Sequence, residues 1–213
     1  MISVIFDMDG TLLDTQRICI PAWEYAGEKQ GIPNMGRYIY SVCGMNAQGW
    51  GKFITDRHPD IDLEKFTHDA RSYIVENLKV SFKTGARELL EYLWSRGIKT
   101  AVASGSSHAS IEHHLRELGV YERFDAITGG HDVEHGKPAP DIFLLAAEKL
   151  GAHPSDCIVF EDSENGVRAG NAAGMRVVGI PDIIPFSDDV RALLWQECSD
   201  MTEAIPIIDR VIR

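Results

Sequence analysis

The chain predicts an α/β fold: a doubly wound, Rossmann-like parallel sheet into which an all-helical domain is inserted. Three observations carry that reading. An apolar run, Ile2-Ser3-Val4-Ile5-Phe6, opens the sequence; a long stretch of helical periodicity follows it; and from about residue 84 short β-branched runs alternate regularly with helical segments. Strands separated by helices imply right-handed βαβ crossovers and a mainly parallel sheet with helices on both faces.

The first run reads as a buried strand, and Gly10-Thr11 behind it turns the backbone. Ile20, Trp23, Ala26 and Gly27 then recur at helical spacing until Gly31-Ile32-Pro33 breaks the pattern. Further helices are expected over about 37–43, 46–57 and 62–79, separated by Gly44 and by His58-Pro59-Asp60. The alternating region predicts helix 85–96, strand 98–103, helix 107–118, strand 125–128, helix 140–150, strand 156–160, helix 164–173 and strand 175–180. The tail, Asp188 to Trp195 and Thr202 to Ile208, reads as surface helix or turn. The expected organisation is therefore a core of residues 1–14 and 82–213 interrupted by a helical domain at 15–81.

Composition narrows the function classes. With 213 residues, 44% hydrophobic and 25% charged, the chain is an ordinary globular protein able to bury a core. A net charge of −11 without any long basic stretch argues against nucleic acid and anionic membrane as partners. Cys19, Cys43, Cys157 and Cys198 are widely spaced and form no Cys-x-x-Cys pair, which reads as buried, reduced thiols. No basic segment leads into a cleavable apolar stretch, and no run approaches the ~20 apolar residues of a membrane span, so a cytoplasmic protein is expected.

The chemistry concentrates at predicted strand ends, where ligands bind in open α/β sheets. Asp7-Met8-Asp9-Gly10-Thr11-Leu12-Leu13-Asp14 follows the first strand. Residues i and i+2 of a strand share a face, so Asp7 and Asp9 are expected to point together, and two close carboxylates call for a hard cation with oxygen ligands, Mg2+ foremost. Ser104-Gly105-Ser106 ends the strand at 98–103 and offers a hydroxyl and backbone N–H groups to an anion; simple helix capping by Ser106 or Ser107 is the plainer alternative. Lys137 sits in the proline-restricted turn Gly136-Lys137-Pro138-Ala139-Pro140-Asp141, where its ammonium could face a phosphate and a carboxylate, or simply solvent. Glu161 and Asp162 end the strand at 156–160 and add oxygen ligands to the postulated cation, while Ser163 is a natural N-cap for the next helix.

An acid pair, a hydroxyl, a lysine and a second acid pair, in that order at the ends of one parallel sheet, resemble the four motifs of the haloacid dehalogenase superfamily of phosphotransferases. The resemblance spans the whole chain, helical cap included. Gly136-Lys137-Pro138-Ala139-Pro140-Asp141-Ile142-Phe143, followed by Phe160-Glu161-Asp162-Ser163-Glu164-Asn165-Gly166, is similar to the β-phosphoglucomutase-like branch. It implies that Asp7 is the nucleophile forming an aspartyl-phosphate and Asp9 the general acid and base. It further implies that Asp7, Asp9 (through its carbonyl), Glu161 and Asp162 hold Mg2+, and that Ser104, Gly105 and Lys137 grip the phosphoryl oxygens.

Asp9 favours phosphoryl transfer over dehalogenation, whose enzymes lack a second acid there. A phosphonatase would need a cap lysine, and Lys29 and Lys52 both lie in stretches that read as solvated. A sugar-phosphate mutase of this branch carries a cap histidine, where Cys19 stands here, and a Gly-Val-Ser-Arg-like turn, where Cys43-Gly44-Met45-Asn46-Ala47 has no arginine. The expectation is thus a phosphatase of a small phosphorylated metabolite, monomeric or weakly dimeric, with mutase as the rival and a catalytically silent ligand-binding relative as the alternative of another class. Arg17, Trp23, Asn46, Gln48 and Trp50 are the cap residues placed to touch a substrate, although Trp23 and Trp50 fit helix packing better. His131 and His135 have the i, i+4 spacing of a metal pair but no third ligand in view.

Overall fold

A computed structural model describes residues 2–42, 45, 47–77 and 79–211, excluding the side chains of Ala47 and Gln48. Strand β1 is Ser3–Phe6, after which the chain enters helices α1 (Thr15–Glu28), α2 (Ile39–Val42), α3 (Ala47–Thr55) and α4 (Leu63–Asn77). It then alternates: α5 (Ala86–Ser95), β2 (Lys99–Ala103), α6 (His108–Glu117), β3 (Ala126–Thr128), α7 (Asp141–Leu150), β4 (Cys157–Glu161), α8 (Glu164–Ala172) and β5 (Arg176–Gly179). Short α9 (Asp188–Arg191), β6 (Gln196–Glu197) and α10 (Ala204–Val211) follow. Two compact units result, one of Met1–Leu13 with Phe82–Arg213 and one of Asp14–Ser81.

All six strands of the first unit lie in one parallel sheet, in the order β3-β2-β1-β4-β5-β6. Every residue of β1 and β4 is buried, as expected of central parallel strands covered on both faces. Phe6 stacks on Phe160 with ring centroids 5.1 Å apart. In register, Phe6 pairs with Val102 on one side and Phe160 on the other, which brings the carboxyl ends of β1, β2 and β4 side by side. Strand order reverses at β1, so this is the switch point where such sheets leave a crevice.

Two expectations need correction. β1 ends at Phe6, one residue before the first acid; the turn that follows, closed by Leu12 and Leu13 N–H donating to the Met8 carbonyl at 3.1 and 2.9 Å, aims Asp7 and Asp9, not a strand pleat. The tail also contains β6, a strand of two exposed polar residues that carries no hydrophobic period to read. Backbone bonds beside it, Trp195 N–H to Val177 and Cys198 N–H to Gly179, both 2.9 Å, hold the chain at the sheet edge. The end of the chain is not all surface either, since Met201, Ala204 and Ile208 are fully buried.

Within the helical unit, buried apolar and aromatic side chains pack its helices together. Trp23 of α1 packs edge-on to Phe66 of α4, 5.2 Å between centroids, and tilts against Trp50 of α3 at 5.3 Å. Both tryptophans are thus accounted for by packing within the unit. Lys29 bonds Asp69 at 2.7 Å and Lys52 bonds Asp56 at 2.7 Å, so neither lysine stands as an isolated amine. Arg17 lies 3.8 Å from Asp14 and is largely exposed. Asn46, the Gln48 side chain and most of the 43–47 turn lie outside the described residues. No described helix is long and apolar enough to cross a membrane.

Candidate active site

Beyond the ends of β1, β2 and β4 the sheet gathers Asp7, Ser104, Glu161 and Asp162, all buried, with Lys137 arriving from the loop before α7. The Lys137 ammonium donates to Asp7 Oδ1 at 2.5 Å, to Glu161 Oε1 at 2.6 Å and to the Ala103 carbonyl at 3.3 Å. The proline turn carries it there, and Nζ lies over the ring of Phe143, 4.8 Å from its centroid. A solvated loop lysine is excluded: only 12% of its side chain is exposed.

Glu161 is locked from the other side as well. Its Oε2 accepts from Ser163 N–H at 2.7 Å and Ser163 Oγ at 2.9 Å, while the same Ser163 hydroxyl caps α8 by accepting from Gly166 N–H at 3.1 Å. Gly166 must be glycine, because a Cβ there would stand 1.7 Å from Glu161 Oε1. Asp162 Oδ1 accepts from Thr11 Oγ1 at 2.7 Å, a contact across 151 residues of sequence.

Asp9 is held apart from these acids. Its Oδ2 accepts from Ser106 Oγ at 2.7 Å and Ser104 Oγ at 3.1 Å, and Ser104 Oγ in turn accepts from Ser106 N–H at 3.0 Å. Ser106 is therefore not the helix cap; Ser107 is, accepting from Ser110 N–H at 3.3 Å. The Ser106–Asp9 bond was hidden in sequence because a serine before a helix reads as a cap, and only the turn after β1 brings Asp9 within reach. The Ser104–Ser106 loop leans on a second loop, with Gly130 N–H donating to Ser106 O at 2.9 Å. A Cβ on Gly130 would lie 2.3 Å from the Gly105 carbonyl oxygen, so the two backbones meet with no room between them.

The cluster is short of positive charge. Burial, the largest influence, pushes Asp7 from 3.8 up to about 7 against the pull of Lys137, and the neighbouring Glu161 and Asp9 charges push the same way. Burial, with the Glu161 and Asp7 charges, also raises Asp162 well above the carboxylate range. Lys137 is held above the ordinary lysine range, since Asp7 and Glu161 together outweigh its desolvation. Ligand oxygens of Asp7, Glu161 and Asp162 all lie within 4.8 Å of one another. Three buried carboxyls with one ammonium, offering oxygen donors, suit a hard divalent cation. The Asp9 carboxylate is not among these three, and its two serine bonds explain why. Among the described residues His131 and His135 belong to no group of three ligating side chains, and His135 Nδ1 lies 3.1 Å from Asp141 Oδ2.

The sequence pattern of the family described as haloacid dehalogenase-like hydrolase matches residues 3–174. The phosphorylated carbohydrates phosphatase of Thermotoga maritima is 33% identical over 199 residues, covering 91% of this chain and 90% of that protein. The fructose-1-phosphate phosphatase YqaB of Escherichia coli is 32% identical over 188 residues, covering 84% of this chain and 95% of that protein. Among solved structures, the β-phosphoglucomutase of Clostridium difficile superposes with a TM-score of 0.77 at 26% identity, over 100% of both chains.

Proposed function

The chain belongs to the haloacid dehalogenase-like hydrolases, and on that premise we propose that it is a Mg2+-dependent phosphatase of a small phosphorylated metabolite, a sugar phosphate or similar monoester, working through an aspartyl-phosphate. The observation that carries the reading is Lys137 bridging Asp7 and Glu161 inside a buried acid cluster, with Asp9 held separately by Ser104 and Ser106.

Asp7 is the nucleophile: a carboxylate oxygen attacks phosphorus, and the bond from phosphorus to the ester oxygen breaks. Asp9 gives its proton to that leaving oxygen, then takes one from the water that cleaves the aspartyl-phosphate and frees Asp7. Two carboxyls a residue apart can divide these roles because their surroundings differ, an ammonium at Asp7 and two hydroxyls at Asp9. Ser104, the Gly105 backbone and Lys137 orient the phosphoryl oxygens. Asp7, Glu161, Asp162 and the Asp9 carbonyl would hold Mg2+, which when bound keeps Asp7 ionised and offsets the phosphoryl charge.

Incubation with a panel of sugar monophosphates and Mg2+, reading free phosphate against isomerised sugar phosphate, tests the proposal. Release of phosphate is expected, falling on the order of a thousandfold in Asp7→Asn. Rapid interconversion of phosphate positions with little release would establish the mutase instead, and no turnover of any ester by the folded wild-type protein would establish the ligand-binding alternative.

A further inference from the structure

A second cluster of ligating side chains lies outside the acid site, on the last turn of α6. His113, His114 and Glu117 each offer one ligand atom, all within 4.8 Å of one another. His113 and Glu117 stand at i, i+4 and so share a face of the helix. The two imidazole rings are 5.3 Å apart, centroid to centroid, and tilted by 58°.

We propose that His113, His114 and Glu117 form a binding site for a borderline transition-metal cation, Zn2+ foremost, distinct from the Mg2+ site in ligand chemistry. Two neutral imidazoles and a carboxylate are the donor set of zinc sites that leave a position open to water. An oxygen-only cluster such as Asp7, Glu161 and Asp162 selects the opposite class of ion. Ligands sharing one zinc about 2 Å from each lie roughly 4 Å apart at most, and rotation of the exposed His113 and Glu117 side chains closes the remaining gap.

Four features favour a cation here. The other histidines with described partners are occupied: His58 with Tyr38, His108 with Asp132, His135 with Asp141 and His153 with Ser155. His114, by contrast, has a buried Nδ1 with no hydrogen-bond partner. Burial also holds its imidazole below the ordinary histidine range, in the neutral form that a metal requires. The site occupies the carboxyl-terminal turn of a ten-residue helix, where unpaired carbonyls favour positive charge. Arg116, on the same turn, is already paired with Glu112 and Glu122, each at 2.7 Å, and lies over the Tyr121 ring.

Calorimetric titration of the full chain with Zn2+ decides the matter, using the wild type, His113→Ala, Glu117→Gln and Asp162→Asn, with circular dichroism to confirm that each is folded. His113 and Glu117 are exposed, so their replacement leaves the core intact. Wild type and Asp162→Asn are expected to share one Zn2+ site, weakened tenfold or more in both α6 variants. Unchanged affinity in His113→Ala and Glu117→Gln, absence of binding in the wild type, or loss in Asp162→Asn alone would overturn the assignment. None of these outcomes depends on whether the protein is a phosphatase.

Discussion

Replacing Lys137 by Met removes the ammonium that bonds Asp7 and Glu161 in a pocket that keeps Glu161 at 1% exposure and Asp7 at 6%. The methionine fills much of the lysine stem's volume against Phe143, so the change isolates the charge. A carboxyl left without its partner escapes burial of its charge by taking a proton, at about 1.36 kcal/mol for each unit between its ordinary pKa near 4 and the ambient pH, or about 4 kcal/mol at pH 7. Burial already pushes Asp7 up to about 7, so its own protonation adds little to this. The result matches the ~3–5 kcal/mol typical of breaking a buried ion pair. At roughly 2–4 °C per kcal/mol for a chain of this size, the midpoint should fall by about 8–16 °C at pH 7. At pH 5 the same proton costs only about 1.4 kcal/mol, and the drop should shrink to a few degrees. Thermal unfolding followed by circular dichroism at both pH values, in chelator, measures this directly. A midpoint within 3 °C of the parent at pH 7, or a larger loss at pH 5 than at pH 7, would refute the bridging role of Lys137.

Three further outcomes follow from the same geometry. Chelation should abolish phosphatase activity and added Mg2+ restore it, with Asp162→Ala shifting the Mg2+ requirement upward about tenfold or more; full activity in excess chelator would exclude the cation site. Ser106→Ala should lower kcat about tenfold with KM little changed and the midpoint within a few degrees, because a hydroxyl on Asp9 is lost while the fold is untouched; unaltered kcat would show that the Ser106 bond does not position Asp9. In metal-free protein Asp7 opposes folding as pH rises: its folded pKa is about 7 against 3.8 unfolded, so the unfolded chain loses its proton first and stability declines between about pH 4 and 7. The difference in denaturant stability between Asp7→Asn and wild type should therefore grow in favour of the variant by up to about 4 kcal/mol over that range, and a difference independent of pH would contradict the burial of the charge.

Much of this protein was legible in its residues. The apolar runs at β1 and β4 and the strand–helix rhythm after residue 84 specify the parallel sheet, because a strand covered on both faces must be apolar throughout and a parallel neighbour must be reached by a crossover. Asp7, Ser104, Glu161 and Asp162 could be singled out because each polar residue follows or ends an apolar strand run, and Lys137 because prolines restrict its turn; the structure puts Lys137 on Asp7 and Glu161, with Asp162 beside them and Ser104 on Asp9. β6 escaped notice since two polar residues at a sheet edge are held by backbone bonds alone, which no side-chain pattern records. What each acid touches was decided only by tertiary structure. Asp7 and Asp9 are separated by one residue and the pleat argument sent their carboxylates the same way; the turn from Met8 to Leu13 gives the Asp7 carboxylate to Lys137 and the Asp9 carboxylate to Ser104 and Ser106. Thr11 on Asp162 and Gly166 beneath Glu161 were likewise invisible, for a hydrogen bond across 151 residues and a space too small for a methyl group exist only once distant segments are packed. Composition and periodicity determine which residues arrive at the strand ends, because burial acts on each residue by its own polarity; the pairing of their charges depends on ångström distances between segments that the chain alone leaves unrelated.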